Sequence, residues 1–194
     1  MTSPRVWRGG LRALAALMLL GGLLAAETPA EPPPIDFGAV RRSERTIDGR
    51  IERYNTESPM EVIGATRGVY LAGTGLLFSI EVSLSPAVGI SPFFTRMPPG
   101  EVEKIHTAKL GRVPVLRELL LTMLPEMAKA HAAVPENEEI VMGATLFYFP
   151  YENLQGLPAQ MVVRAKAGDL RKLQTTGDAS DAARVAPMAK VTLY

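Results

Sequence analysis

The fold is decided by one stretch of the sequence, Leu76-Leu77-Phe78-Ser79-Ile80-Glu81-Val82-Ser83-Leu84, in which apolar side chains occupy every second position. A period of two predicts a β-strand with one face buried in the core. A shorter apolar run, Val69-Tyr70-Leu71, precedes it, and Ala72-Gly73-Thr74-Gly75 lies between the two runs. A short, glycine-rich connection of this kind predicts that the two runs form a β-hairpin.

A second pair of strands is predicted later in the chain. Residues 140–149 are almost wholly apolar, which is typical of a central strand covered on both faces, and Pro150 ends the run. Apolar and mostly polar side chains then alternate along residues 161–166, which predicts a fourth strand.

Helices are predicted before, between and after these strands. A short amphipathic helix is expected around Ile47, Ile51 and Tyr54, and another is expected to begin at Asp169. The long helix between the strand pairs is indicated by apolar residues at helical spacing, with Pro114 in its first turn and a kink or end at Pro125. Its apolar stripe comprises Val113, Leu116, Leu120, Met123, Met127 and Val134. The order of elements predicts a single α+β domain, an antiparallel sheet of about four strands with the long kinked helix packed on one face.

The N-terminal residues predict export. Arg5, Arg8 and Arg12 precede an uncharged apolar block, residues 13–26, and small residues follow it. The block is shorter than the ~20 residues of a membrane-spanning helix, so residues 1–30 are predicted to be a secretory signal peptide of the Sec type. Cleavage is expected after Ala26 or Ala30, which would leave the protein in the periplasm or outside the cell.

The remaining chain divides into three predicted regions. Residues 31–40 are expected to form a proline-rich linker, residues 41–174 the α+β domain, and residues 175–194 a tail that is partly helical or disordered. Contact with a membrane is expected only if the N-terminal segment is retained as an anchor.

Composition excludes several function classes. The chain has 21 basic and 20 acidic residues, and this balance argues against a nucleic-acid partner. It contains no cysteine, which excludes a thiol nucleophile, a disulfide oxidoreductase and a cysteine-based zinc site. The two histidines, His106 and His131, are too far apart in sequence to form a helical metal pair. No catalytic residue, metal ligand or cofactor is therefore predicted.

Four residues are candidates for a ligand- or partner-binding surface: Tyr148, Tyr151, Glu81 and His131. The two tyrosines belong to an aromatic cluster with Phe147 and Phe149, in which alternation places Tyr148 on the opposite side from the other three. An exposed aromatic edge is typical of protein–protein contacts, so the leading hypothesis is a non-catalytic binding or assembly domain with a partner in the cell envelope.

An alternative hypothesis uses the same residues differently. His131, Glu81 and Tyr148 could assemble the site of a small hydrolase or ligand-binding protein. The competing expectations are that His131 is a core residue with a hydrogen-bond partner, and that Glu81 forms a cross-strand salt bridge with Arg164 or Arg67. The two hypotheses differ in whether His131 and a carboxylate share an open pocket.

Two blocks of sequence carry a resemblance: Gly68-Val69-Tyr70-Leu71-x-Gly73-x-Gly75-x-x-Phe78-x-x-Glu81-Val82, and Leu146-Phe147-Tyr148-Phe149 followed by Gly156-Leu157-Pro158-x-Gln160. Residues 64–174 resemble a group of uncharacterised exported bacterial proteins. The chain departs from their pattern at Thr74, where tyrosine is common. The resemblance implies export and a single domain, and it implies no reaction.

Overall fold

The computed structural model describes residues 34–55, 59–85, 97–173 and 180–194, so the predicted signal peptide and the first residues of the predicted linker lie outside the described residues. In chain order the elements are α1 (Phe37–Glu52), β1 (Glu61–Val62), β2 (Arg67–Leu71), β3 (Gly75–Ser83), α2 (Pro99–Ala130), β4 (Glu139–Leu146), β5 (Gln160–Lys166), α3 (Ala167–Lys172), α4 (Ser180–Val185) and β6 (Lys190–Leu193).

Both predicted strand pairs are present. Strands β2 and β3 form an antiparallel hairpin, and so do β4 and β5. Glycine is required at the first turn, because Gly73 and Gly75 have φ angles of 80° and 132°. A side chain at Gly75 would also meet the backbone of Glu139, since its Cβ would lie 1.9 Å from that carbonyl oxygen.

The sheet is larger than predicted, and it is mixed rather than antiparallel. Among the described residues it has six strands, in the order β1-β3-β4-β5-β6, and β2 also pairs with β3. Strands β3 and β4 are parallel, with Leu76 opposite Ile140 and Ile80 opposite Ala144. A parallel pair requires a long crossover, and α2 provides it. The additional strands, β1 and β6, are only two and four residues long, too short for a clear alternation.

The core lies between one face of the sheet and the helices. Strand residues Leu76, Phe78 and Ile80 are buried in one hydrophobic cluster with Leu120 and Met123 of α2. Burial of one such side chain stabilises the fold by about 1.5–3 kcal/mol. Helices α1, α3 and α4 all contact α2. The predicted α+β domain with a long helix packed on its sheet is therefore confirmed.

Helix α2 continues through both of its internal prolines. Pro114 was expected to begin a new helix, but α2 begins at Pro99. Each proline lacks an N–H, so the carbonyl groups of Leu110 and Leu121 lose their helical donor. Burial of the apolar stripe on the sheet outweighs these losses, because helices in proteins are stabilised mainly by tertiary packing. None of the described helices combines the length and the apolar composition needed to cross a membrane.

The ends of the domain extend beyond the predicted boundaries. Helix α1 begins inside the predicted 31–40 linker, where the Asp36 carboxylate accepts the N–H of Gly38 at 2.7 Å and caps the helix. It ends at Glu52, which leaves Tyr54 exposed beyond it, whereas Ile47 and Ile51 are buried as predicted. The 175–194 tail contains α4 and β6, so a segment predicted to be partly helical or disordered contributes an edge strand.

Candidate functional site

The aromatic cluster lies in residues 147–158, the connection between β4 and β5, which we call the aromatic loop. Strand pairing ends where Phe147 N–H donates to the Val82 carbonyl at 2.8 Å. Pro150 then removes a backbone donor, and the chain turns as Glu152 N–H donates to the Phe149 carbonyl at 3.0 Å. The loop lies directly at the end of a central strand of the sheet.

Three aromatic rings on one side of the loop form a stack. The rings of Phe149 and Tyr151 are nearly parallel, with an interplanar angle of 8° and centroids 5.4 Å apart. Phe147 contacts Phe149 edge-on, with centroids 5.0 Å apart. Both geometries are favourable for aromatic pairs. All three residues are half-buried, so part of each remains accessible to solvent.

Tyr148 points to the other side of the loop, as the alternation predicts. Its hydroxyl donates to the Pro158 carbonyl at 2.8 Å, which joins the two ends of the loop. The Lys109 ammonium lies 4.9 Å from the centroid of its ring, within the range of a cation–π interaction. Tyr148 is therefore a structural contact between the loop and α2, and the half-buried stack consists of Phe147, Phe149 and Tyr151.

A buried ion pair holds the loop against α2. Lys109 Nζ lies 2.6 Å from Glu152 Oε2, and the two side chains are 1% and 4% exposed. The other oxygen of Glu152 accepts the N–H of Phe149 at 3.3 Å, and Lys109 also donates to the Phe147 carbonyl at 3.4 Å. Each charge would be costly to bury alone, so separation of the loop from α2 is strongly unfavourable.

A second contact lies one helical turn from this pair. His106 Nδ1 is 2.9 Å from the Asn153 carbonyl oxygen. A carbonyl only accepts hydrogen bonds, so Nδ1 carries the proton. His106 is buried, and together with Lys109 it fixes consecutive residues of the loop, Glu152 and Asn153.

The surroundings of both tyrosines of the loop make their phenols still harder to ionise than the ordinary side chain. Burial raises the pKa of Tyr148 to about 12, and the charge of Glu152 adds to the effect. The pKa of Tyr151 is raised by the same two causes, burial first. Neither phenol is activated as a base or nucleophile by its surroundings.

His131 lies inside the core. Its Nε2 is 2.9 Å from the hydroxyl oxygen of Ser43, its ring centroid is 5.9 Å from that of Phe78, and only 4% of the residue is exposed. Burial lowers its pKa, an effect that the charge of Asp36 opposes and that of Arg42 reinforces. The serine–histidine contact therefore lies where no substrate reaches it.

Glu81 lies on the face of the sheet that α2 does not cover. It is exposed and stands opposite Thr145 of β4. The predicted salt bridge to Arg164 is wrong, because Arg164 pairs with Glu139 at 3.3 Å. Arg67 lies opposite Ser79, and no ion pair between Arg67 and Glu81 is found among the described residues.

The structure brings together only part of the predicted site. Tyr148 and Tyr151 share the aromatic loop, whereas His131 is in the core and Glu81 is on the opposite face of the sheet. Three surface grooves, of about 490, 330 and 530 Å³, are lined by none of these four residues. Within the described ranges no group of three or more histidine, aspartate or glutamate side chains could hold a metal ion.

The buried pair of Lys109 and Glu152, which holds the aromatic loop against α2, was not predicted from the sequence. One signal was present, because Lys109 follows Ile105 by four residues and precedes Val113 by four, which places a cation on the apolar stripe of α2. Such a position indicates a buried charge with a partner. The identity of the partner depends on tertiary structure.

Comparison of the chain with protein-family models, with curated proteins and with solved structures found no match.

Proposed function

We propose that the protein is a non-catalytic binding domain of the periplasm or cell envelope that contacts a protein partner through its aromatic loop. The observation that carries the proposal is the half-exposed stack of Phe147, Phe149 and Tyr151 on a loop held by the buried Lys109–Glu152 pair. Leu154 lies in the same loop and is an exposed apolar residue, with 51% of its surface in solvent.

The chemistry of the loop fits partner recognition. Aromatic residues dominate the energetics of protein interfaces because they bury a large area and lose few rotamers on binding. The ion pair and the His106–Asn153 contact already fix the loop in the free protein. A loop held in this way loses less conformational entropy when it binds, which favours affinity.

Several observations support a binding role over catalysis. His131 is engaged with Ser43 in the core, Glu81 is remote from it, and burial raises the pKa of Tyr148. The aromatic loop presents apolar surface without an activated nucleophile, and this combination suits contact with another protein.

Export is part of the proposal, and it is supported by the three arginines and the apolar block within residues 1–26. Mass spectrometry of the native N-terminus tests it. We expect a mature chain that begins between Glu27 and Glu31 and is recovered from the periplasm or envelope. An intact chain that retains Met1 among cytosolic proteins would contradict export.

Affinity capture from envelope fractions tests the binding surface. The double variant Phe149→Ser/Tyr151→Ser removes the stack, and Tyr54→Ser is a matched control because Tyr54 is an exposed tyrosine outside the loop. We expect the unaltered protein and Tyr54→Ser to capture the same specific partner. The double variant should capture at least ~10-fold less of it, which corresponds to a loss of about 1.4 kcal/mol of binding energy.

The same preparation tests the enzyme alternative. Thermal unfolding must first show that every variant is folded. Equal recovery of the partner by the double variant would contradict the binding surface. Turnover of a generic hydrolase substrate that is abolished in a folded His131→Ala variant would contradict the non-catalytic role.

A further inference from the structure

Strand β6 forms an edge of the sheet with free backbone groups. Gln160 and Tyr194 exchange two hydrogen bonds, Tyr194 N–H to the Gln160 carbonyl at 3.0 Å and the reverse at 3.3 Å. Bonded and non-bonded pairs alternate along an antiparallel ladder. The pairs of Val191 with Val163 and of Leu193 with Met161 are therefore non-bonded, and the N–H and C=O groups of Val191 and Leu193 point outward.

At the opposite edge of the sheet, side chains accept hydrogen bonds from the backbone. The N–H of Thr66 donates to Asp48 at 3.1 Å, and the N–H of Gly68 on β2 donates to Glu44 at 2.8 Å. Two carboxylates of α1 therefore occupy backbone donors that another strand could use, a known way to block an edge. In the part of the chain that the structure describes, no side chain or strand occupies the outward groups of β6.

We propose that two copies of the protein pair through β6, antiparallel and related by a two-fold axis at Thr192. Val191 of each copy lies opposite Leu193 of the other and exchanges two hydrogen bonds with it, so all the outward N–H and C=O groups of these two residues are satisfied. The six-stranded sheet becomes a continuous sheet of both copies. The proposal does not depend on the proposed function, because it uses the outward backbone groups of Val191 and Leu193 and none of the rings of the aromatic stack.

The side chains agree with this register. Leu193 and Tyr194 are 51% and 69% exposed in the single chain, and the pairing covers part of both. Tyr194 stands opposite Lys190 of the second copy, where an ammonium–ring contact is possible. A register centred on Val191 would instead place Leu193 opposite Ala189, whose N–H already donates to the Val185 carbonyl at 3.1 Å. A second copy is therefore a self-complementary occupant of this edge.

The absence of cysteine permits a direct test. At the two-fold axis the Thr192 Cα atoms of the two copies are expected ~4.5 Å apart, as in any non-bonded antiparallel pair. That distance allows a disulfide, so Thr192→Cys introduces a single thiol that can cross-link the dimer. Lys190→Cys is the matched control. In it the Cα atoms of residue 190 in the two copies are offset by ~13 Å along the strands, which is too far for a disulfide.

We expect mild oxidation to convert most Thr192→Cys chains to a linked dimer on a non-reducing gel, with at least ~5-fold less from Lys190→Cys at the same concentration. Sedimentation equilibrium of the cysteine-free protein at that concentration should give a dimer mass. Leu193→Pro, which removes one outward N–H without changing a bond to β5, should shift the mass to monomer. No cross-link at position 192, equal cross-linking at both positions, or a monomer mass for the unaltered protein would overturn the proposal.

Discussion

Lys109 on α2 and Glu152 in the aromatic loop form a buried ion pair, with Nζ and Oε2 2.6 Å apart. The pair joins the first half of the long helix to the loop that carries the aromatic stack. It lies beneath Tyr148, whose ring centroid is 4.9 Å from the same ammonium. The position of the half-buried rings of the stack therefore depends on two charges that are themselves inaccessible to solvent.

Loss of one partner should destabilise the protein strongly. Lys109→Met leaves the Glu152 carboxylate buried without its cation, and removal of one member of a buried pair costs about 3–5 kcal/mol. Chemical denaturation measures the free energy of unfolding. Lys104→Met is the control, because Lys104 is an exposed lysine on the same helix paired with Glu101, and such pairs contribute about 0–1 kcal/mol. Similar losses in both variants would contradict the role of the pair.

Removal of both charges should restore stability. The double variant Lys109→Met/Glu152→Leu replaces the pair by apolar side chains, and buried pairs replaced in this way are often neutral in stability. We expect the double variant to be more stable than Lys109→Met by at least ~2 kcal/mol. If the loss of stability in the double variant equalled the sum of the losses in Lys109→Met and Glu152→Leu, the two groups would not interact.

The protein should lose stability at alkaline pH through Tyr148. Burial and the charge of Glu152 raise the pKa of this phenol from 10.0 to about 12. In that interval the unfolded chain releases a proton that the folded chain retains, so the free energy of unfolding falls as pH rises from 10 to about 12. Burial also raises the pKa of Tyr70 and Tyr151.

Comparison with Tyr148→Phe isolates this contribution. The variant keeps the ring above Lys109, loses the hydrogen bond to the Pro158 carbonyl, and cannot ionise. We expect its unfolding free energy to fall less steeply above pH 10, as followed by urea denaturation, while tyrosinate absorbance reports the raised pKa. If the unfolding free energy of both proteins fell equally steeply above pH 10, Tyr148 would not be the cause of the alkaline loss of stability.

At acidic pH the free energy of unfolding should depend on the protonation of His131. Burial lowers its pKa below the ordinary value of 6.5, so the unfolded chain binds a proton more readily than the folded chain. Neutral His131 therefore contributes to the free energy of unfolding above pH 6.5, and this contribution is lost as the pH falls through the pKa that His131 has in the folded protein. Denaturation midpoints measured from pH 8 to pH 5 should fall for the unaltered protein and fall less for His131→Gln.

Ser43 should matter because it is the hydrogen-bond partner of that ring. Ser43→Ala leaves a buried nitrogen of His131 without its partner, which costs about 1–3 kcal/mol. Thr46→Ala on the same helix is the control, since Thr46 is exposed and its substitution should change stability by less than ~0.5 kcal/mol. Equal effects of the two substitutions on the free energy of unfolding would contradict the buried contact.

Gly75 should tolerate no side chain. Its φ angle of 132° is essentially restricted to glycine, and a Cβ would overlap the Glu139 carbonyl oxygen of the adjacent strand. Gly75→Ala should therefore cost more than the ~1–3 kcal/mol of backbone strain alone. Gly64→Ala, with no atom within 4 Å of the added carbon, should have little effect on the melting temperature.

The local elements of the fold could be predicted from sequence because their signals are local. Alternation along residues 76–84 and the glycines at 73 and 75 predicted the first hairpin, and the stripe from Leu116 to Met127 predicted the long helix. Alternation continued past the end of β4, so it also placed Tyr148 on the opposite side from Phe147 and Phe149.

The remaining features depend on contacts between distant parts of the chain. The parallel pairing of β3 with β4 follows from how α2 crosses the sheet, and no residue of either strand encodes it locally. The edge strand β6 is four residues long and gives no clear periodicity. Lys109 was visible as a cation on an apolar stripe, but Glu152 lies in a loop whose position only the tertiary structure defines.

Contact between the aromatic loop and a partner is tested most directly by a photo-cross-linking amino acid placed at position 151 in cells. The control is a variant that carries the same amino acid at position 54 instead, because Tyr54 is an exposed tyrosine outside the loop. We predict a discrete covalent adduct with one envelope protein from position 151 and none from position 54. Absence of an adduct at position 151, or the same adducts from both positions, would contradict a binding role for the loop.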